Sequence, residues 1–254
     1  MRPPARVIPV LLLDGSNFVK TVQFRKPVYI GDPINTVRIF NELRVDEIFV
    51  LDIGNKTSLE RPNWSIIQEL AGECHMPMCY GGGVTSVEQA RRLFGIGVEK
   101  VSVNSAAGGD ISVVHKLAEE FGSQSIVASM DVSKSLFSRQ VVRNLNWRNH
   151  FRNRPVEWAK VLAENGAGEI LLTTVNQEGT WTGFDIPLIR SISDAVPVPV
   201  IAHGGCGSLA DIFEVVNDGR ASAVGVGSFV VFQKKGFGVL VNFPEAAELH
   251  AVLE

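Results

Sequence analysis

The sequence predicts an α/β chain: a (β/α)8 barrel with an internal half-barrel duplication, one domain over residues 1–254. Two observations carry this. The first is a repeat. The triplet Gly81-Gly82-Gly83 returns 122 positions later as His203-Gly204-Gly205, and its surroundings return with it. Glu47 and Glu169 keep the 122-residue offset, and Ser105 and Ser228 are offset by 123, so one slip suffices to align Glu47 through Ser105 with Glu169 through Ser228. A period this long describes a duplicated half-domain, since solenoid repeats run at about 20–50 residues.

The second observation is eight short apolar runs with helical-period segments between them, the pattern of parallel strands buried on both faces. The runs are Val7 to Leu13, Ile48 to Ile53, Pro77 to Tyr80, Lys100 to Val103, Ile126 to Met130, Glu169 to Thr173, Pro199 to Ala202 and Ala223 to Val226. The helices between them are placed at Pro33 to Leu43, Trp64 to Cys74, Ser86 to Phe94, Ile111 to Phe121, Pro155 to Asn165, Ile186 to Ala195 and Leu209 to Asn217. Ser86 and Ser208, each followed by an early acid, suit the unpaired amides of a helix start. An open doubly wound sheet is the competing fold, but GxGxxG after the first strand is absent. Two long connections, Asp14 to Asp32 and Val132 to Arg154, follow strands one and five, on the face where barrels build active sites.

Composition narrows the partners. At 45% hydrophobic residues the chain can bury a large core, and a formal charge of −3 gives no global field for nucleic acid. Three cysteines and five histidines show no paired or clustered spacing, so no disulfide framework, metal site or cofactor is expected. No apolar run is long enough for a membrane span, and Met1-Arg2-Pro3-Pro4 leads directly into a strand, so a cytoplasmic location is expected.

The strand ends carry the candidate chemistry. Gly82, Gly83 and Asn104 after strands three and four, and Gly204, Gly205, Gly227 and Ser228 after strands seven and eight, with Gly179, either turn the chain or let its amides approach phosphate oxygens. Asp131 ends strand five and is the best candidate for a general acid or base; Asp52 ends strand two, and Glu178 precedes Gly179. The repeat equivalent of Asp131 on strand one is Leu12, so one of two symmetry-related carboxylates is missing. Arg6, Glu47, Lys100 and Glu169 start strands one, two, four and six and form a charged ring that either stabilises the barrel bottom or gates a passage. The second long connection carries Lys134, Arg139, Arg143, Arg148, Arg152 and Arg154; with Lys20 and Lys26 it is either a solvated face or an anion-recognition surface. His203 and Cys79 lie at strand ends without a visible base or nucleophile partner.

With these residues assembled, the chain resembles the HisF family, the cyclase subunits of imidazole glycerol phosphate synthase. The resemblance rests on Arg6-Val7-Ile8-Pro9, Val19-Lys20-Thr21-Val22-Gln23-Phe24, Phe49-Val50-Leu51-Asp52-Ile53, Gly81-Gly82-Gly83, Lys100 through Ala107, Gly166 through Thr173, Gly179-Thr180 and Gly183-Phe184-Asp185. It implies a HisH-like glutaminase on the bottom face, whose ammonia crosses the barrel to a bisphosphorylated ribonucleotide at the top. It places the ammonia gate on Arg6, Glu47, Lys100 and Glu169, phosphate contacts on Gly83, Asn104, Gly179, Gly205, Gly227 and Ser228, and the first-loop lysine on Lys20. One catalytic aspartate falls on Asp131, the other on Leu12; His203 stands where the family usually has serine.

Those departures, with Ile8 through Leu13 and Arg25 through Asn35, are similar to a WbuZ-type branch that accompanies a glutaminase and a sugar amidotransferase in surface-polysaccharide (O-antigen) synthesis. The expectation is therefore an ammonia-conducting subunit for amidation of a nucleotide sugar, with a phosphorylated small-molecule ligand. A working cyclase using Asp14 or Asp52 as the missing acid, and a phosphate-binding activator that moves no ammonia, are the alternatives.

Overall fold

The computed structural model describes residues 5–54, 62–135, 139–143 and 150–253. In chain order its elements are β1 Arg6–Asp14, β2 Asn17–Val22, β3 Arg25–Gly31, α1 Pro33–Glu42, β4 Ile48–Asp52, α2 Trp64–Glu73, β5 Met78–Gly81, α3 Val87–Gly95, β6 Lys100–Val103, α4 Ser105–Gly109 and α5 Ser112–Phe121. There follow β7 Ile126–Lys134, β8 Gln140–Val142, α6 Pro155–Glu164, β9 Glu169–Thr174, α7 Ile186–Ser193, β10 Val200–His203, α8 Leu209–Asn217, β11 Ala223–Val226, α9 Ser228–Val231 and α10 Ala246–Leu253.

Eight strands pair in parallel in the order β1-β4-β5-β6-β7-β9-β10-β11, and β11 pairs back onto β1 with Arg6 opposite Ala223 and Pro9 opposite Val226. The result is a closed (β/α)8 TIM barrel. In a ring of eight, β1 and β7 stand diametrically opposed, so the two long connections arise on opposite sides of one mouth.

Strand periodicity sorts the side chains. Along β1, Val7, Leu11 and Leu13 face the helices, while Ile8 and Val10 face the barrel axis; Arg6 and Leu12 share their parity. Repeated round the ring, this puts Ile8, Val10, Phe49, Cys79, Val127, Leu171, Ile201 and Ala223 into one axial cluster, fully separate from the larger strand–helix core. Helix starts are fixed by side-chain caps. Ser86 Oγ accepts from Gln89 N at 3.3 Å, Ser208 Oγ from Asp211 N at 3.2 Å, and Asp32 Oδ1 from Asn35 N at 2.9 Å.

The first long connection, read from sequence as a loop, is an antiparallel hairpin, β2–β3, extending from β1. Its tip was invisible because it lacks the usual Asn-Gly or Asp-Gly; instead Gln23 and Phe24 themselves adopt φ of 55° and 61°. Strand β8, antiparallel to β7, and the helices α4, α9 and α10 were likewise not foreseen. Among the described residues no helix is long and apolar enough to cross a membrane.

Candidate functional site

The axis has three layers, and inward parity decides which residues form each. At the bottom, where strands begin, Arg6 pairs through Nη1 with Glu47 and through Nη2 with Glu169 at 2.9 Å. Lys100 Nζ reaches Glu47 at 2.7 Å and Glu169 at 3.2 Å, so each acid bridges both cations. Burial works against the Arg6 charge, but the carboxylates of Glu169 and Glu47 outweigh it and hold its pKa above the usual value. Among the described residues, Glu169 Oε2 is buried without a hydrogen-bond partner, an acceptor left open inside the ring.

Above the ring lies the apolar axial cluster. Cys79 brings a thiol into this cluster, and burial, with Glu47 adding, pushes its pKa well above normal, so it stays protonated and is a poor nucleophile.

The mouth, where strands end, is a cavity of about 480 Å³, within the range of small-molecule sites. Gly82, Gly83, Asn104 and Ser105 line one side. Asp131, buried at the end of inward-facing β7 residues, accepts a hydrogen bond from Asn104 Nδ2 at 2.8 Å, which fixes its carboxylate over the axis. Leu12 lines the cavity from the opposite strand. Asp52 also lines it, but its carboxylate accepts from Tyr80 Oη at 3.1 Å and from Gly54 N at 2.9 Å, a scaffold role. Asp14 is absent from the lining.

Gly179, Gly204, Gly205, Gly227 and Ser228 gather at a second, much smaller pocket of about 10 Å³ that Lys20 and Glu178 also line. Gly205 holds φ of 119°, and a methyl group there would sit 1.9 Å from Gly183 O, so only glycine fits this close approach. The sequence groups Lys20 with the basic connection, as part of a solvated face or an anion-recognition surface. Lys20 is instead buried and ion-paired with Glu178, whose carboxylate also accepts from Thr21 Oγ1 at 3.1 Å and Phe24 N at 3.0 Å. Glu178 therefore pins the hairpin tip to the β9–α7 loop, a role that sequence reading missed. The pairing joins residues 158 positions apart, and no local signal encodes it.

Of the basic connection, Arg143 lines the cavity and Lys134 pairs with Asp185 at 3.7 Å, while Arg139 and Arg154 are exposed. Arg148 and the side chain of Arg152 lie outside the described residues, as do Met1 to Pro4. Lys26, near the hairpin tip, is exposed and away from the cavity lining. Among the described residues no three His, Cys, Asp or Glu side chains gather as metal ligands.

His203 borders both pockets, with Nδ1 3.1 Å from Thr173 Oγ1. Burial, helped by the Lys20 charge, lowers its pKa to about 3. The unfolded chain, with an ordinary imidazole near 6.5, takes up a proton that the folded chain refuses, so stability is full above about pH 6.5 and falls toward pH 3. Between pH 7.5 and 5.0 this one group is expected to remove about 2 kcal/mol. Urea denaturation of the wild type and His203→Ser at both pH values checks it; identical pH dependences would show that the ring is not held neutral.

The chain matches the model of the histidine biosynthesis protein family over residues 6–235. It is 46% identical over 244 residues to a Pseudomonas aeruginosa protein named "Putative imidazole glycerol phosphate synthase subunit hisF2", covering 96% of this chain and 97% of that one. A Vibrio vulnificus relative with the same name ending in hisF3 is 39% identical over 251 residues, 98% of this chain and 96% of its own. A Leptospira borgpetersenii relative, whose name ends in HisF, is 39% identical over 253 residues, 99% of each chain. With matches that run nearly end to end, a closed eight-stranded barrel and the strand-end glycines in place, this chain belongs to the histidine biosynthesis protein family and is HisF-like.

Proposed function

We propose that this chain, one barrel domain over its whole length, is the ammonia-conducting subunit of a glutamine-dependent amidotransferase system. It pairs through its bottom face with a HisH-like glutaminase and delivers ammonia at its mouth for amidation of a nucleotide sugar in surface-polysaccharide synthesis, beside a sugar amidotransferase. The observation that carries this is the pairing of Leu12 with Asp131 across the mouth. Ring closure with release of a leaving group needs an acid on one side of the substrate and a base on the other, and loss of a positioned group costs about 10²- to 10⁴-fold. Leucine can transfer no proton.

What supports a conduit is the layering of the axis. Neutral ammonia crosses an apolar layer more readily than any ion, so the axial cluster passes it while retaining charge below. The ring supplies hydrogen-bonding groups at the entrance, including the open Glu169 Oε2. At the exit Asp131 can accept an ammonia N–H, and Gly82, Gly83 and Asn104 offer polar groups to a phosphorylated ligand. The relatives' names favour the cyclase reading instead, and turnover of the cyclase substrate by the purified chain with ammonium salt separates the two.

The test uses the reconstituted complex of this chain, its glutaminase and the sugar amidotransferase. It is given amide-15N glutamine and a nucleotide-linked acetamido sugar in a pool of unlabelled ammonium. The wild type is expected to transfer 15N undiluted. Lys100→Met, which opens the ring, is expected to drop the label toward that of the pool while glutamine hydrolysis continues. Undiluted transfer by the variant would contradict a gate, and stimulated hydrolysis with diluted label already in the wild type would favour a pure activator.

A further inference from the structure

We infer that the mouth takes a ligand with one anionic end rather than two, because the chain fills its own second anion cradle. The inference rests on reading the mouth as a phosphate-ligand site, and it names the ligand class. The repeat builds two equivalent cradles: Gly82-Gly83 with Asn104-Ser105, and Gly204-Gly205 with Gly227-Ser228. The first opens onto the cavity of about 480 Å³; the second keeps about 10 Å³, the room of roughly one water.

What fills the second cradle is identifiable. The Lys20 side chain lies across Gly227, where a methyl group would meet Lys20 Cε at 2.8 Å and Nζ at 3.2 Å. The His203 ring lies across Gly225, with Cδ2 3.3 Å from the same construction. Lys20 is therefore where a cation for a ligand phosphate belongs, yet its charge is already met by the buried Glu178 carboxylate. Among the described residues an incoming phosphate finds room for about one water, a lysine already paired and a nearby negative charge.

Among the described residues no side chain fills the first cradle: Asp52 and Asp131 also line its cavity, but each carboxylate is held by a hydrogen bond, Arg143 faces the same space, and the volume stays open. A ligand seated there by one phosphate, or another single anionic end, can lay an uncharged body against Leu12, Leu51, Ile53 and Leu171. A molecule with phosphates at both ends fits only if Lys20, Glu178 and His203 all give way.

Titration of the full-length, deuterated chain with inorganic phosphate at constant ionic strength, read at backbone amides, tests this in two arms. In the wild type, saturable shifts are expected at Gly82, Gly83, Asn104 and Ser105 only; equally strong saturation at Gly205, Gly227 and Ser228 would overturn the inference. In the Glu178→Gln/His203→Ser variant, which keeps Lys20, shifts at those three residues are expected at phosphate concentrations at least about ten-fold below any that move them in the wild type. No gain there would show that these side chains are not what closes the cradle, and the inference falls. Glu178→Gln alone, which preserves shape, reads the same gain if the double variant does not fold. Silence of the first cradle in the wild type, with a gain in the variant, would remove the first phosphate site and leave the filled second cradle standing.

Discussion

Glu47→Ala is expected to lower the barrel's stability by about 3–5 kcal/mol, because it strips the buried one of two bridging acids from a partly buried ring and leaves Arg6 and Lys100 sharing Glu169. For a chain of this length that is a fall in melting temperature of roughly 6–20 °C. Thermal and urea unfolding measure it, and a loss below about 1 kcal/mol would mean the ring behaves as a solvated surface cluster. The converse experiment gives the result its meaning. Replacing all four ring residues with apolar side chains of matching volume removes the desolvation cost together with the attraction, and such swaps are often neutral or stabilising. If the apolar ring folds as well as the wild type but no longer confines ammonia, stability does not explain the charges, and transport does.

Asp131→Asn is expected to cut amidation by about 10- to 10²-fold while changing stability little, since it removes a charged acceptor for ammonia but keeps the shape and an oxygen for Asn104 Nδ2. The effect should persist when ammonium salt replaces glutamine, because Asp131 acts at the exit and not in the conduit. Lys100→Met should show the opposite pattern, losing only the glutamine-dependent route. Steady-state rates with both nitrogen sources distinguish them, and Asp131→Asn rates within about three-fold of the wild type would remove Asp131 from the delivery step.

Much of this site was legible because strand parity is a local code. Once Ile8 and Val10 are inward, Arg6 and Leu12 must be too, and the same step-of-two logic places Glu169, Leu171 and Thr173 on one line from ring to mouth. The repeat supplied the pairing of Asp131 with Leu12 before any coordinate did. The hairpin β2–β3 escaped notice because its turn uses strained Gln23 and Phe24 in place of glycine or asparagine. The partner of Lys20 escaped for a different reason: Glu178 is distant in sequence, and only closure of the barrel brings β9 to the first connection. The neutrality of His203 likewise depends on burial and on a lysine from another element.

The measurement that bears most directly on the central claim is turnover of the bisphosphorylated ribonucleotide of the cyclase reaction by the purified chain with ammonium salt, alongside Leu12→Asp, which returns a carboxylate opposite Asp131. The wild type is expected to show no conversion above background, with or without recovery in the variant. Robust conversion by the wild type would contradict the account, since it would show that a mouth with leucine at position 12 still carries out ring closure.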